Sequence, residues 1–268
     1  MDNELITVTE NAAPPPAASA PARQETLTGA LLGSVQSLAA TVAIAVFVIT
    51  FIVQAFQIPS ESMENTLLIG DYLLVDKVRY APAGNFSGVA PYEPVRRGDI
   101  IVFRFPVNPD QHFVKRVVGL PGDRVRLIHK QVFVNGAPLR EDYIVHSSSS
   151  RDHYRDDFPD PEYLNPQVEP LWLLQYPRLM KGHELVVPEG KYFVLGDNRD
   201  ESLDSRYWGF VSRENVVGRP LLIYFSMERP LPMATSLNSF NDKLHHFKVS
   251  LSNLSERIRW NRTLRLIK

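Results

Sequence analysis

Two serines one residue apart, Ser60 and Ser62 in "IPSESMENTLLIGDYLLVDK" (58–77), stand between a long apolar run and a strand-like stretch. A serine hydroxyl becomes a nucleophile only when a nearby base takes its proton. Histidine is the usual base, and the chain has seven: His112, His129, His146, His153, His183, His245 and His246. None forms the HExxH spacing that sets two imidazoles on one helix face, and no G-x-S-x-G elbow occurs. His245 and His246 are adjacent and would diverge on a helix. There is no cysteine, which excludes thiolate nucleophiles, disulfides and cysteine-based zinc sites. No metal and no cofactor are therefore expected.

Another base is on offer in "FVKRVVGLPGD" (113–123), where Lys115 lies among Phe113, Val114, Val117 and Val118. A free lysine titrates at ~10.4, so it must drop about three units to act near neutrality, a cost of ~4 kcal/mol. Apolar burial supplies such a shift by disfavouring the ammonium form. The competing reading is a strand lysine that points to solvent beside Arg116. A third stretch, "LGDNRDESLDSRYWGFV" (195–211), gathers Gly, Asp, Asn, Arg and Ser into one loop. Ser202 and Asp204 could hold a buried amine there, directly or through an Arg206 pair. The plainer alternative is a polar turn held by its own Asx hydrogen bonds.

These groups need elements to carry them. No charged residue occurs from Thr26 to Ser60, and Leu38–Phe56 is nearly all apolar. Such a run covers about 30 Å at ~1.5 Å per residue, the thickness of a bilayer core. A transmembrane anchor is expected over 31–56, behind a disordered leader over 1–30 with an Ala/Pro tract. A buried helix of a soluble protein is the alternative. The nucleophile candidate would then follow the anchor closely.

Beyond it the pattern turns β. "YLLV" (72–75), "DIIVFRF" (99–105), "HFVKRVVG" (112–119), "DRVRLI" (123–128), "QVFVNG" (131–136), "KYFVLGD" (191–197) and "RPLLIYF" (219–225) are short, β-branched or aromatic, and set off by Gly, Pro or Asp. A mainly β domain, a barrel or paired antiparallel sheets, is expected over 57–140 and 184–227. A polar, Pro-rich excursion over 141–183 interrupts it, without a catalytic part. The tail, 228–268, spaces Leu244, Phe247, Val249, Leu251, Leu254, Ile258 and Trp260 among basic residues. It reads as a basic amphipathic helix that lies on a membrane or packs on its own domain.

The formal net charge is −1, so no global field recruits nucleic acid. Upstream of the anchor Arg23 is the one basic residue against four acids, and downstream the first is Lys77. The positive-inside rule leans only faintly to a cytoplasmic N-terminus.

Together the stretches resemble the boxes of the bacterial type I signal peptidases, membrane-bound serine proteases that remove signal peptides. "PSESMENTL" (59–67) resembles the nucleophile box. "RRGDIIVFRFP" (96–106), "VKRVVGLPGD" (114–123) and "GDNRDESLDSRYWGFV" (196–211) resemble the three later boxes in order. Asn65 departs from the family's usual Pro. Asn also holds a turn, so a small shift of geometry with activity retained is expected. The family's better-known members often carry a second transmembrane helix, whereas a single one is read here.

The resemblance implies Ser62 as nucleophile and Lys115 as general base, with Ser60 as an oxyanion donor beside the Ser62 N–H. It implies that Ser202 orients the amine and that Asp204 with Arg206 braces the loop. It also implies exported preproteins as substrates, cut after small-x-small sites. The enzyme would be single-pass in the bacterial inner membrane, in contact with the lipid bilayer, with a cytoplasmic N-terminus and a periplasmic catalytic domain. Rival readings are a self-cleaving SOS-type repressor, which needs a DNA-binding segment in front, a mitochondrial inner-membrane peptidase, and a membrane-anchored binding protein without activity.

Overall fold

The computed structural model describes residues 27–80, 93–163, 165–228 and 257–267. Helix α1 (Leu27–Phe47) runs into a π-helical turn, Val48–Ile52. Leu31–Ile52 has a mean hydropathy of 2.3 with none of it buried in the protein, and is long and apolar enough to cross a membrane. The sequence reading carried the helix to Phe56. Instead it stops at Ile52, and strand β1 (Val53–Gln57) is extended. Ile52 and Val53 are β-branched and accept this conformation readily. The strand's backbone, no longer self-bonded, pairs along its length with β2 (Asp71–Asp76), from Val53 opposite Asp76 to Gln57 opposite Tyr72.

The remaining strands include those on the expected stretches and add short ones that were not expected. They are β3 (Ile100–Arg104), β4 (His112–Gly119), β5 (Arg124–Ile128), β6 (Gln131–Val134) and the short β7 (Ala137–Pro138). After the two short helices α2 (His153–Asp156) and α3 (Pro170–Gln175) come β8 (Met180–Lys181), β9 (Glu184–Val186) and β10 (Lys191–Leu195). A turn of helix α4 (Ser205–Trp208) precedes β11 (Val211–Ser212) and the long β12 (Val216–Ser226). A short β13 (Arg265–Leu266) comes last.

The pairings between these strands are antiparallel and make two sheets among the described residues, with one isolated parallel bridge between Val145 and Asn198. The first has the order β1-β2-β12-β3-β4-β10-β11, with β13 on β12. The second has the order β7-β6-β5-β9-β8.

Side-chain alternation explains how the first sheet is covered. On β3, Ile101 and Phe103 join Val117, Val125, Leu127 and Leu185 in a core shared with the second sheet. Ile100 and Val102 point the other way and pack with Leu73, Val75, Ile223, Met63 and Leu67. Met63 and Leu67 belong to the stretch that carries Ser62. Burying two such side chains stabilises that turn by ~1.5–3 kcal/mol each. The turn is thereby pinned to a sheet face.

Residues 141–183 hold little regular structure, as the composition suggested, yet they are not set apart from the β core. Tyr154, Phe158, Trp172 and Tyr176 are buried in the same cluster as Phe193, Tyr207 and Phe210. Of the tail beyond Met227, Glu228 and residues 257–267 are described. There it forms a bridge from Ile258 to Met227 and the pairing of β13 with Leu222 and Ile223, not a continuing helix. Leu244, His245, His246, Phe247, Val249, Leu251 and Leu254, and the leader before Leu27, lie outside the described residues.

Asn65 sits at φ +72°. Proline is locked near φ −65°, so the residue usual in the resembling family cannot occupy this backbone as it stands. Asn65→Pro is expected to lower stability by more than ~1 kcal/mol, and Asn65→Gly to leave it nearly unchanged, in thermal unfolding of the purified protein. A fully stable Asn65→Pro variant would contradict the left-handed turn.

Candidate active site

Ser62 lies in a single 3-10 turn, Glu61–Met63, entered from Ser60 in extended conformation. The turn is closed by Glu64 N–H on the Glu61 carbonyl (2.9 Å) and Leu67 N–H on the Met63 carbonyl (2.7 Å). The backbone N–H of Asn198 donates to the Ser62 carbonyl at 3.2 Å, which ties the turn to the loop after β10. Gly196 is packed against the same carbonyl. A Cβ there would lie 2.4 Å from Ser62 O and 2.3 Å from Ser202 Oγ, so only glycine fits.

Lys115 reaches the turn from β4. Its Nζ is 2.6 Å from Ser62 Oγ and donates also to the Val114 carbonyl at 3.2 Å. The side chain is buried, with the Phe113 ring 5.5 Å from Nζ. Burial pushes the amine down to about 8. The negative charges of Asp204 and Asp197 pull it back up, and the Arg206 guanidinium opposes them. The solvent-facing alternative for this lysine is thus not what the fold adopts. Ser60 Oγ stands 3.3 Å from Ser62 Oγ, on the exposed side of the turn.

The expected pair Asp204–Arg206 is formed and wholly buried. Arg206 Nε and Nη2 each donate to the Asp204 carboxylate at 2.8 Å, and Gly196 N–H donates to it at 3.1 Å. Burial alone would raise the carboxyl of Asp204, but the Arg206 charge and these donors hold it below the usual range. The excursion completes this bracket. The Arg155 carbonyl accepts from Arg206 Nη1 at 3.0 Å, and Tyr154 Oη and Trp172 Nε1 donate to the Arg206 carbonyl at 2.7 and 3.1 Å.

Ser202 behaves differently from expectation. Its hydroxyl is buried beside the Asp204 carboxylate without a well-formed hydrogen bond, and it makes none to Lys115.

A second buried ion pair was not read from the sequence. Arg116, which alternation turns to the opposite face of β4 from Lys115, donates to Asp197 through Nε (2.8 Å) and Nη2 (2.6 Å). It is capped by the Tyr143 ring at 3.9 Å. Thr66 Oγ1 donates to the same carboxylate at 2.6 Å. The nucleophile stretch, β4 and the 196–211 loop are thus joined twice, once through Lys115 and once through Arg116. The only sequence signal was the adjacency of two basic residues in an apolar strand.

A cleft of about 330 Å³ opens beside Ser62, walled mainly by Ile58, Met63, Phe113, Val114 and Leu203. Leu67 is fully buried in the core. β4 pairs with β3 along His112–Arg116, whereas β10 covers only Arg116–Gly119. Its edge beside the cleft, His112–Lys115, therefore has no strand partner among the described residues. A hydroxyl held against a buried amine, beside an apolar cleft and an open strand edge, can perform acyl transfer on an extended peptide.

The family model described as signal peptidase, peptidase S26, matches residues 31–225. A signal peptidase I of Aquifex aeolicus (strain VF5) is 40% identical to this chain over 216 residues, covering 69% of this chain and 80% of that protein. A signal peptidase I of Pseudomonas fluorescens is 37% identical over 199 residues, covering 68% of each. Among solved structures, a crystal structure of a signal peptidase I from Enterococcus faecalis V583 is 38% identical. That match covers 47% of this chain and 97% of that one, with a TM-score of 0.36.

Three outcomes follow from the site geometry. Peptide-cleavage kcat/KM is expected to rise with pH about a midpoint near 8, and a midpoint at or above 10 would contradict the buried amine. In the same window the unfolded chain binds the extra proton, so Lys115 makes stability increase with pH from about 8 up to the ordinary lysine value. Gly196→Ala is expected to cost at least about tenfold in kcat/KM at unchanged substrate, because displacement of the Ser62 carbonyl moves the nucleophile. Wild-type kinetics in that variant would show that the close packing at Gly196 is not needed.

Proposed function

The chain belongs to the signal peptidase family, peptidase S26, and from that premise we propose that it works as a Ser62/Lys115 endopeptidase on exported preproteins at a membrane surface. The observation that carries the reading is the 2.6 Å approach of a buried Lys115 Nζ, pushed down to about 8, to Ser62 Oγ. An ammonium so placed could only donate. The neutral amine can accept the hydroxyl proton, and that is the form burial favours.

The cycle begins as Ser62 Oγ attacks the scissile carbonyl carbon while its proton passes to Lys115 Nζ. The developing oxyanion is met by the Ser60 hydroxyl and the backbone N–H of Ser62. The Lys115 ammonium then gives its proton to the departing amine, and the C–N bond breaks to leave an acyl-enzyme. Water attacks the ester next, its proton goes to Lys115, and Ser62 Oγ leaves with that proton restored. Asp204 and Arg206 touch no reacting atom in this scheme and hold the loop that Lys115 and Ser62 pack against, while Ser202 takes the role of orienting the Lys115 amine once substrate is bound.

Substrate would add as an extended strand to the free edge of β4 at His112–Lys115. The apolar walls of the cleft suit small residues at alternate positions, by exclusion of larger ones, which gives cleavage after small-x-small. The helix Leu31–Ile52 serves as the anchor, with the N-terminus in the cytoplasm and the β domain on the outer face of a bacterial cell membrane. This places the active site where a signal peptide ends.

The test is cleavage of a preprotein with an Ala-x-Ala site by the purified full-length chain. Ser62→Ala and Lys115→Ala are each expected to fall to background while remaining folded. Ser60→Ala is expected to lose about 10²–10³-fold, as for one oxyanion donor. Undiminished cleavage by Lys115→Ala would rule out the pair.

A further inference from the structure

Part of the tail that the functional reading leaves unused packs against the loop that follows the nucleophile turn. Arg262 is buried, as is the fully enclosed Asp71 at the start of β2. Arg262 donates to both oxygens of the Asp71 carboxylate, through Nε and Nη2, and Nη2 also donates to the Thr66 carbonyl at 3.0 Å. The same carboxylate accepts from Leu68 N–H (2.9 Å) and Ser226 Oγ (2.6 Å). Arg259, one turn earlier, donates to the Ile69 and Met227 carbonyls. The backbone of this loop also reaches the other side of the nucleophile. Ile58 N–H donates to the Asp71 carbonyl at 2.9 Å, and Gly70 N–H donates to the Ile58 carbonyl at 3.0 Å.

The segment from Ile58 to Asp71, with Ser62 near its middle, is therefore closed at its base, and Arg262 reaches the closure from far along the chain. Thr66 is common to both supports: its hydroxyl is held by Asp197 and its carbonyl by Arg262. There is little slack for another arrangement. Gly70 has φ +85°, and a Cβ on it would lie 2.0 Å from the Met227 carbonyl oxygen.

We propose that Arg262 is a positioning residue for the peptidase reaction: its guanidinium fork clamps Thr66 to Asp71 and so fixes the Ser62 turn against Lys115. The proposal rests on the Ser62/Lys115 reading above. A guanidinium suits the task because its planar set of donors serves a carboxylate and a carbonyl at once, which a lysine ammonium cannot match in geometry. Removing one partner of a buried pair leaves the other charge uncompensated, so the loop must rearrange or admit water. Either change moves Thr66, and through it the turn.

The experiment uses the full-length protein in detergent–phospholipid micelles with a preprotein substrate, comparing wild type, Arg262→Ala and Arg262→Lys. Arg262→Ala is expected to lose at least tenfold in kcat with KM within twofold, and Arg262→Lys at least threefold in kcat. Thermal unfolding run alongside establishes that each variant is folded at the assay temperature. A folded Arg262→Ala with kcat within twofold of wild type, or with its loss carried by KM alone, would overturn the clamp. If Arg262→Ala does not fold, Arg262→Lys decides by the same split, and wild-type kcat in it overturns the clamp. Absence of cleavage by the wild-type chain would instead overturn the Ser62/Lys115 reading, which keeps the two failures distinct.

Discussion

Lys115 Nζ lies 2.6 Å from Ser62 Oγ inside the protein, where water cannot solvate an ammonium ion. A shift of the amine from 10.5 to about 8 corresponds to roughly 3 kcal/mol of disfavour for the charged form. Two carboxylates nearby, Asp204 and Asp197, pull the amine back up. Each is engaged by its own arginine, Arg206 and Arg116, through two donors. Both arginines brace the loops that hold the nucleophile, and the Arg206 charge also works against the pull of the acids on the amine, which burial outweighs.

The rest of the fold can be understood as the means of keeping this contact in place. Met63 and Leu67 pin the nucleophile turn to one face of the first sheet, and the second sheet covers the other. The loop of Gly196–Arg206 approaches so closely that no side chain fits at Gly196. The aromatic residues of 141–183, Tyr154 and Trp172 among them, bond the carbonyl of Arg206 and bury its surroundings. That segment is part of the support of the site, although it supplies no group to the proposed chemistry. The apolar helix before β1 adds a location to the mechanism, not a catalytic group.

Much of this was legible in residue order. β4 spans the residues expected for it, and the box-like stretches around Ser62, Lys115 and Asp204 come together in space. What escaped depended on partners that sequence does not display. Arg116 meets Asp197 across 81 positions, and nothing local distinguishes that arginine from a solvated one. β1 continues an apolar run without a break, so its extended form is set by the neighbouring β2 and not by its own composition. The tail around Ile258 and Trp260 carried helical spacing, yet over 257–267 it is drawn into a strand pairing and the buried Arg262–Asp71 contact. Ser202, assigned by resemblance to the amine, lies close by and leaves its hydroxyl unbonded.

The central claim concerns the protonation of one side chain, and it can be observed without turnover. In protein labelled at lysine Cε, the carbon resonance assigned to Lys115 by its loss in Lys115→Arg would be followed with pH. A midpoint near 8 is the expected result. A midpoint close to 10.5, as for an exposed lysine, would contradict the account, because the neutral amine that takes the Ser62 proton would then be about 300-fold scarcer at neutral pH.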